Sequence, residues 1–190
     1  MKTKYALSIL ICTLFLQTGF AQKIKTTYPF WEASVGMGLL PTFIKDKSLT
    51  EVPPLMTGID YRLNKKLSIG FFMGHTKVQS SFNMVGDAKP ETFQNNFSMI
   101  GLRFAIHSTY FEKWDLYGGM NYAYTISNIQ VIDGNVEELI LHKNFKPISG
   151  KMMISAFVGG KFKLKNERYS IFGEVGYGMS LLSFGFSRRL

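Results

Sequence analysis

Eight stretches of the chain alternate between apolar residues and small or polar ones, the period-two signature of strands with one apolar face. Trp31, Ala33, Val35, Met37 and Leu39 share one parity, against Glu32, Ser34, Gly36 and Gly38. Ile59, Tyr61 and Leu63 stand against Gly58, Asp60 and Arg62, and Leu67, Ile69, Phe71 and Met73 against Ser68, Gly70 and Gly74, with Phe72 out of step. Ile100, Leu102, Phe104 and Ile106 oppose Gly101, Arg103, Ala105 and His107, and Trp114, Leu116, Met120, Tyr122 and Tyr124 oppose Asp115, Gly119, Asn121 and Thr125. The last three stretches run through Ile154–Leu164, Tyr169–Gly176 and Leu182–Ser187 in the same way, with Ser155, Lys161, Lys163, Ser170 and Glu174 among the polar set.

Two architectures produce this pattern. A soluble lipid-binding barrel of the lipocalin type turns the apolar face inward; a transmembrane barrel turns it outward to lipid. The second face decides. A water-exposed exterior is rich in Lys, Glu and Asp, whereas here that face is mostly Gly, Ser, Thr and Ala with a few charges of both signs. Small residues suit the narrow lumen of an eight-stranded barrel, which side chains fill. The predicted fold class is therefore all-β, a closed antiparallel up-and-down transmembrane barrel of about eight strands.

Connections agree with that topology. Asn64–Lys66, Lys165–Arg168 and the stretch from Ser108 to Lys113 are short, while Pro41–Pro53, Asn83–Glu91 and Ile132–Ser149 are long and polar. Short periplasmic turns and long outer loops alternate in such barrels. The connection at Tyr177–Met179 is read as a tight outer hairpin. Trp31, Tyr61, Trp114 and Tyr169 all fall at strand ends next to the short turns, forming an expected periplasmic aromatic rim, since amphipathic rings favour the headgroup layer.

Composition sharpens the picture. Charged residues are 18% of the chain and aromatics 15%, the former below the roughly 25% of soluble domains. Lys2 and Lys4 precede an apolar run to Leu16, and Gly19-Phe20-Ala21 follows. That layout reads as a secretory signal over residues 1–21, cleaved between Ala21 and Gln22, with the barrel domain over 22–190. The single cysteine, Cys12, belongs to that leader, so no disulfide and no thiolate metal site is expected. The 22 basic residues outnumber the 13 acidic ones, but they scatter through turns and loops. With export, that argues against a nucleic-acid partner.

The residues from Tyr28 to Leu190, ending in Gly176-Tyr177-Gly178 and Gly185-Phe186-Ser187, resemble the small outer-membrane β-barrels of the OmpA/OmpX type, including porin-like barrel domains. The resemblance implies residence in the bacterial outer membrane, outer-membrane lipids as surroundings and the barrel assembly machinery as a partner. Ser183, Gly185 and Leu190 match the family's C-terminal assembly signal in type; Arg188 departs from it, and Leu190 replaces the usual aromatic.

No constellation for catalysis is legible. His75, His107 and His142 are the only histidines, and they fall at an outer strand end, a periplasmic strand end and a loop. His75 is followed by Thr76-Lys77-Val78, not by the His-x-Ser-Asn pattern of lipid A deacylases. Asp133, Glu137 and Glu138 lack calcium-loop spacing. The expectation is a non-enzymatic barrel without cofactor or metal, with an envelope-structural role or contact to a surface ligand through its outer loops. The rivals are a soluble lipid carrier and a lipid-modifying enzyme.

Parity finally places Glu32, Asp60, Arg62, Arg103, Asp115, Lys161, Lys163 and Glu174 inside the lumen. Strand order pairs Glu32 with Arg62, Arg103 with Asp115 and Lys161 with Glu174. Isolated charges in a narrow interior are costly, so pairing is expected. Such pairs plug the barrel and fix its register, or open it by switching partners.

Overall fold

A computed structural model describes residues 27–40, 42, 48–82, 91–108, 110–133, 148–165 and 167–190. Eight strands follow one another: β1 (Phe30–Gly38), β2 (Ser48–Arg62), β3 (Leu67–Phe82), β4 (Glu91–His107), β5 (Trp114–Asp133), β6 (Ile148–Lys163), β7 (Tyr169–Gly176) and β8 (Leu182–Arg189). Each pairs antiparallel with its neighbour, and β8 pairs with β1, so the sheet closes. The fold class read from the alternation is the one the chain adopts. Closure leaves no open edge, the condition for a sheet to stand in lipid. Ala21 and Gln22 lie outside the described residues, as does His142.

The outward parity is apolar over the turn-side part of the barrel: Val35, Ile59, Ile69, Phe71, Leu102, Phe104, Tyr122, Ile154, Val158 and Phe186 are all exposed. The inward parity is buried and mixed. Its charged set is joined by Phe72, the residue out of step in the alternation, and by rings and a thioether that the alternation did not reveal, namely Phe97, Met99, Tyr117, Phe157 and Phe172. A water-soluble carrier has the reverse arrangement.

Turns close one end tightly. Asn64 Oδ1 accepts the amides of Lys66 (2.8 Å) and Leu67 (3.0 Å), an Asx-type cap that reverses β2 into β3. Leu164 and Tyr169 bracket the β6–β7 turn, with Glu167 in the left-handed region at φ 54°.

The opposite end is uneven. Strands β2 to β6 run for 15 to 20 residues, while β1, β7 and β8 have 9, 8 and 8. The tall strands take in residues read from sequence as loop. Ser48 to Pro53 belongs to β2, whose two register shifts between Thr50 and Leu55 absorb the adjacent prolines as bulges. Glu91, Ile132, Asp133, Ile148 and Ser149 likewise belong to strands.

The β7–β8 connection is not a simple outer hairpin. It folds inward, so that Met179 is 1% exposed and packs with Phe72, Phe97, Met99 and Ala123 inside the lumen. The backbone around it is tied to the top of β1: Leu181 N donates to Leu40 O (2.8 Å), and Thr42 N to Met179 O (3.2 Å). Ser180 Oγ accepts from the Leu40 amide (3.2 Å) and donates to the Leu182 carbonyl (2.7 Å). A methionine fits this role because its flexible thioether fills irregular space.

Candidate functional site

Below the Met179 plug, the lumen holds three ion pairs. Arg62 Nη1 donates to Asp115 Oδ2 at 2.7 Å, with both side chains under a tenth exposed. Lys161 Nζ donates to Glu32 Oε1 at 2.9 Å, equally buried. Arg103 Nη2 donates to Glu174 Oε1, which also accepts the Tyr117 hydroxyl at 2.6 Å. The Arg103 guanidinium lies 3.9 Å from the Phe157 ring centroid, so its face is covered by a cation–π contact.

Arg62 is fully engaged. Its Nε donates to Asn64 O (3.1 Å) and its Nη2 to Lys65 O (2.9 Å), which fastens the β2–β3 turn to the lumen. His107 completes this cluster: Nδ1 is 2.6 Å from Arg62 Nη1 and 3.0 Å from Asp115 Oδ1, and Nε2 is 2.8 Å from Ser68 Oγ. His107 is thus a buried member of the charge network rather than an ordinary rim histidine.

Seven of the eight charged residues read as inward, all but Lys163, line the lumen, but all three partner assignments are wrong. Glu32 stands opposite Asp60, and Arg62 opposite Phe30, so Glu32 reaches across to Lys161 instead. Arg103 stands opposite Asn121, six positions along β5 from Asp115, or roughly 20 Å at strand rise. Lys161 stands opposite Phe172, and Glu174 opposite Gly159. Each observed pair joins strands three apart around the barrel. In a lumen this narrow, long basic side chains span the bore more readily than they fold back along their own wall.

Asp60 is half-buried and lines a cavity of about 30 Å³ with Arg103 and Glu174. Lys163 sits at the mouth rather than in the charge layer, donating to Glu112 O at 3.1 Å. There the lumen widens into an open vestibule of about 360 Å³, lined by Arg62, Lys65, Lys161, Lys163 and Arg189 with Glu32 and Asp115.

The four rim aromatics all lie at this turn end. The Trp31 and Tyr61 rings are 4.7 Å apart, the Trp114 ring lies 5.1 Å from Phe162 at a tilt of 59°, and Arg188 lies over Tyr169 at 5.6 Å.

One contact on the outer wall had no signal in the sequence. His75 on β3 and Ser98 on β4 stand directly opposite each other, with Nδ1 and Oγ 2.9 Å apart. They lie on the apolar, outward face, within a groove of about 560 Å³. Among the described residues, no group of three or more His, Cys, Asp or Glu side chains could hold a metal ion.

An apolar outer wall around a filled polar lumen defines a transmembrane β-barrel, and this one has the fold of the small outer-membrane barrels. No protein-family model matches the chain, and no curated protein matches its sequence. Among solved structures it is similar to the outer membrane protein OprG from Pseudomonas aeruginosa, at 11% identity over 85% of this chain and 95% of that one, with a TM-score of 0.56. It is also similar to a de novo designed transmembrane β-barrel, at 8% identity over 88% and 100%, with a TM-score of 0.51. The N-terminal β-barrel domain of Pseudomonas aeruginosa OprF aligns at 11% identity over 86% and 100%, with a TM-score of 0.46.

Proposed function

We propose that this protein is a sealed, non-enzymatic barrel of the bacterial outer membrane that acts through its outer connections. The observation that carries this reading is the contrast between the blocked lumen and the tall strands β2 to β6 above it. A bore filled by three ion pairs, the five rings of Phe72, Phe97, Tyr117, Phe157 and Phe172, and Met179 has no room for an open channel, as expected for eight strands. Strands that continue well beyond the plug serve no transport path. They carry the strand ends at Phe82, Glu91, Asp133 and Ile148 away from the bilayer, and connections between such ends carry recognition on a rigid scaffold. In this reading the turn end, with Trp31, Tyr61, Trp114 and Tyr169, faces the periplasm. Insertion falls to the barrel assembly machinery, through the C-terminal strand with Ser183, Gly185 and Leu190.

Two measurements test this. Purified wild-type protein in planar bilayers is expected to show no steady conductance; a stable open state overturns the sealed reading. Deleting residues 135–146 is expected to leave heat-modifiable gel mobility intact while reducing adhesion of whole cells to host or abiotic surfaces. Unchanged behaviour across such surface assays overturns the contact role.

A further inference from the structure

The outer wall carries a polar notch where its surroundings are apolar. On β3 the outward column runs Leu67, Ile69, Phe71 and Met73, then His75; on β4 it runs Ile106, Phe104, Leu102 and Ile100, then Ser98. The change is not simply the top of the lipid-facing band. Leu55 on β2 stands opposite His75, and Ile126 on β5 stands opposite Ser98. The pair is therefore flanked by exposed aliphatic side chains on both sides and has Met73 and Ile100 beneath it. Directly outward of it, Lys77 is ion-paired to Glu51 at 2.9 Å, where the surface turns charged.

We propose that this groove is a binding site for an ester-linked acyl chain of a membrane lipid whose ester carbonyl is held by the His75–Ser98 pair. The proposal rests on the membrane reading of the barrel and goes beyond the role of the loops. Three features select this occupant. The groove opens on the lipid-facing wall, so a lipid chain is its natural neighbour. At about 560 Å³ it falls within the size range of ligand sites. Of its polar side chains, Thr57 already donates to Ser34 O at 3.1 Å, while the His75–Ser98 pair sits next to the transition from apolar to charged surface, which is where an ester-linked lipid places its ester between chain and headgroup. The chemistry also matches. In the tautomer where Ser98 Oγ–H donates to Nδ1, Nε2 carries a proton and offers a donor to a carbonyl. A polar pair facing hydrocarbon without a further partner is unfavourable, and the ester supplies one.

The test is native mass spectrometry of the full chain refolded in detergent, titrated with palmitoyl-oleoyl phosphatidylethanolamine or its ether-linked analogue, which lacks the carbonyls. Wild-type protein is expected to retain one ester lipid, and the ether lipid about fivefold less, in line with one net hydrogen bond. A His75→Leu/Ser98→Ala variant loses the preference for ester over ether, whereas Ile154→Ala on β6 keeps it. Equal retention of both lipids by wild-type protein overturns the proposal, as does an unchanged preference in the double variant. The wild-type comparison decides even if the variant fails to fold. Carbonate extraction of cell membranes checks the membrane reading separately: a protein that washes off defeats that reading, whatever the lipid result.

Discussion

Removing Arg62 isolates the logic of the lumen. Its guanidinium and the Asp115 carboxylate are 5% and 9% exposed, so neither is well solvated. Breaking one partner out of a buried pair costs about 3–5 kcal/mol, because the survivor is left charged and dry. Asp115 keeps His107 at 3.0 Å and borders the open vestibule, which sets the expectation for Arg62→Met near the lower end, about 3 kcal/mol. Asp115→Leu strands Arg62, but that side chain retains the Asn64 and Lys65 carbonyls. About 2 kcal/mol follows, within the range for hydrogen bonds to charged groups. Removing both charges leaves nothing unpaired, and apolar replacement of a buried pair is often near neutral. The double variant should therefore cost about 2 kcal/mol rather than the additive total of about 5, a coupling energy of about 3 kcal/mol. Urea titration of barrels folded in vesicles, read by tryptophan fluorescence and heat-modifiable mobility, measures all three. Losses that add to within about 0.5 kcal/mol refute the pairing. Arg103→Met combined with Asp115→Leu supplies the contrast. Arg103 is bonded to Glu174, so this combination is expected to be additive, and strong coupling there would restore the neighbouring-strand assignment.

Two further outcomes follow from packing. Gly119→Ala places a methyl against the Phe104 carbonyl and the Ala105 backbone of β4 and is expected to abolish the folded, heat-modifiable band. Gly173→Ala, whose methyl meets only Ser183 O at 4.0 Å, should fold normally; if Gly119→Ala also folds normally, the close strand approach is not required. Met179→Ala is expected to cost about 2–5 kcal/mol in urea titration, as for other fully buried methionines. Its bilayers should remain silent because the ion-pair layer lies beneath, so steady conductance in this variant would show that Met179 alone holds the seal.

The alternation from Trp31 to Phe186 made the barrel legible, since each strand repeats one rule of outward apolar and inward small or polar. The set of inward charges was legible for the same reason. Their partners were not, because strand order says which walls adjoin but not what faces across a closed bore. Phe157 and Phe172 were missed as lumen residues because aromatic character resembles the lipid-facing set. The outer ends of β2, β4, β5 and β6 were read as loop. Gln94, Asn96, Asn128 and Gln130 are polar on the outward parity too, so the alternation disappears once a strand leaves the apolar layer. The meeting of His75 with Ser98 depends on the β3–β4 register over 23 positions, and neither residue is distinctive alone.

The reach of the ion pairs bears on how the chain assembles. Glu32 and Lys161 are 129 positions apart, Arg103 and Glu174 are 71 apart, and Arg62 and Asp115 are 53 apart. None of these pairs lies within a two-stranded hairpin, so none rewards a hairpin for forming. They become available only as the sheet curls and its walls come face to face. An arrangement with a strand omitted or the stagger altered would leave six charges stranded together. Folding would then be steered late, at closure, by a toll on wrong barrels more than by any early attraction. Such interactions, absent from the early hairpins, slow unfolding while leaving hairpin formation untouched.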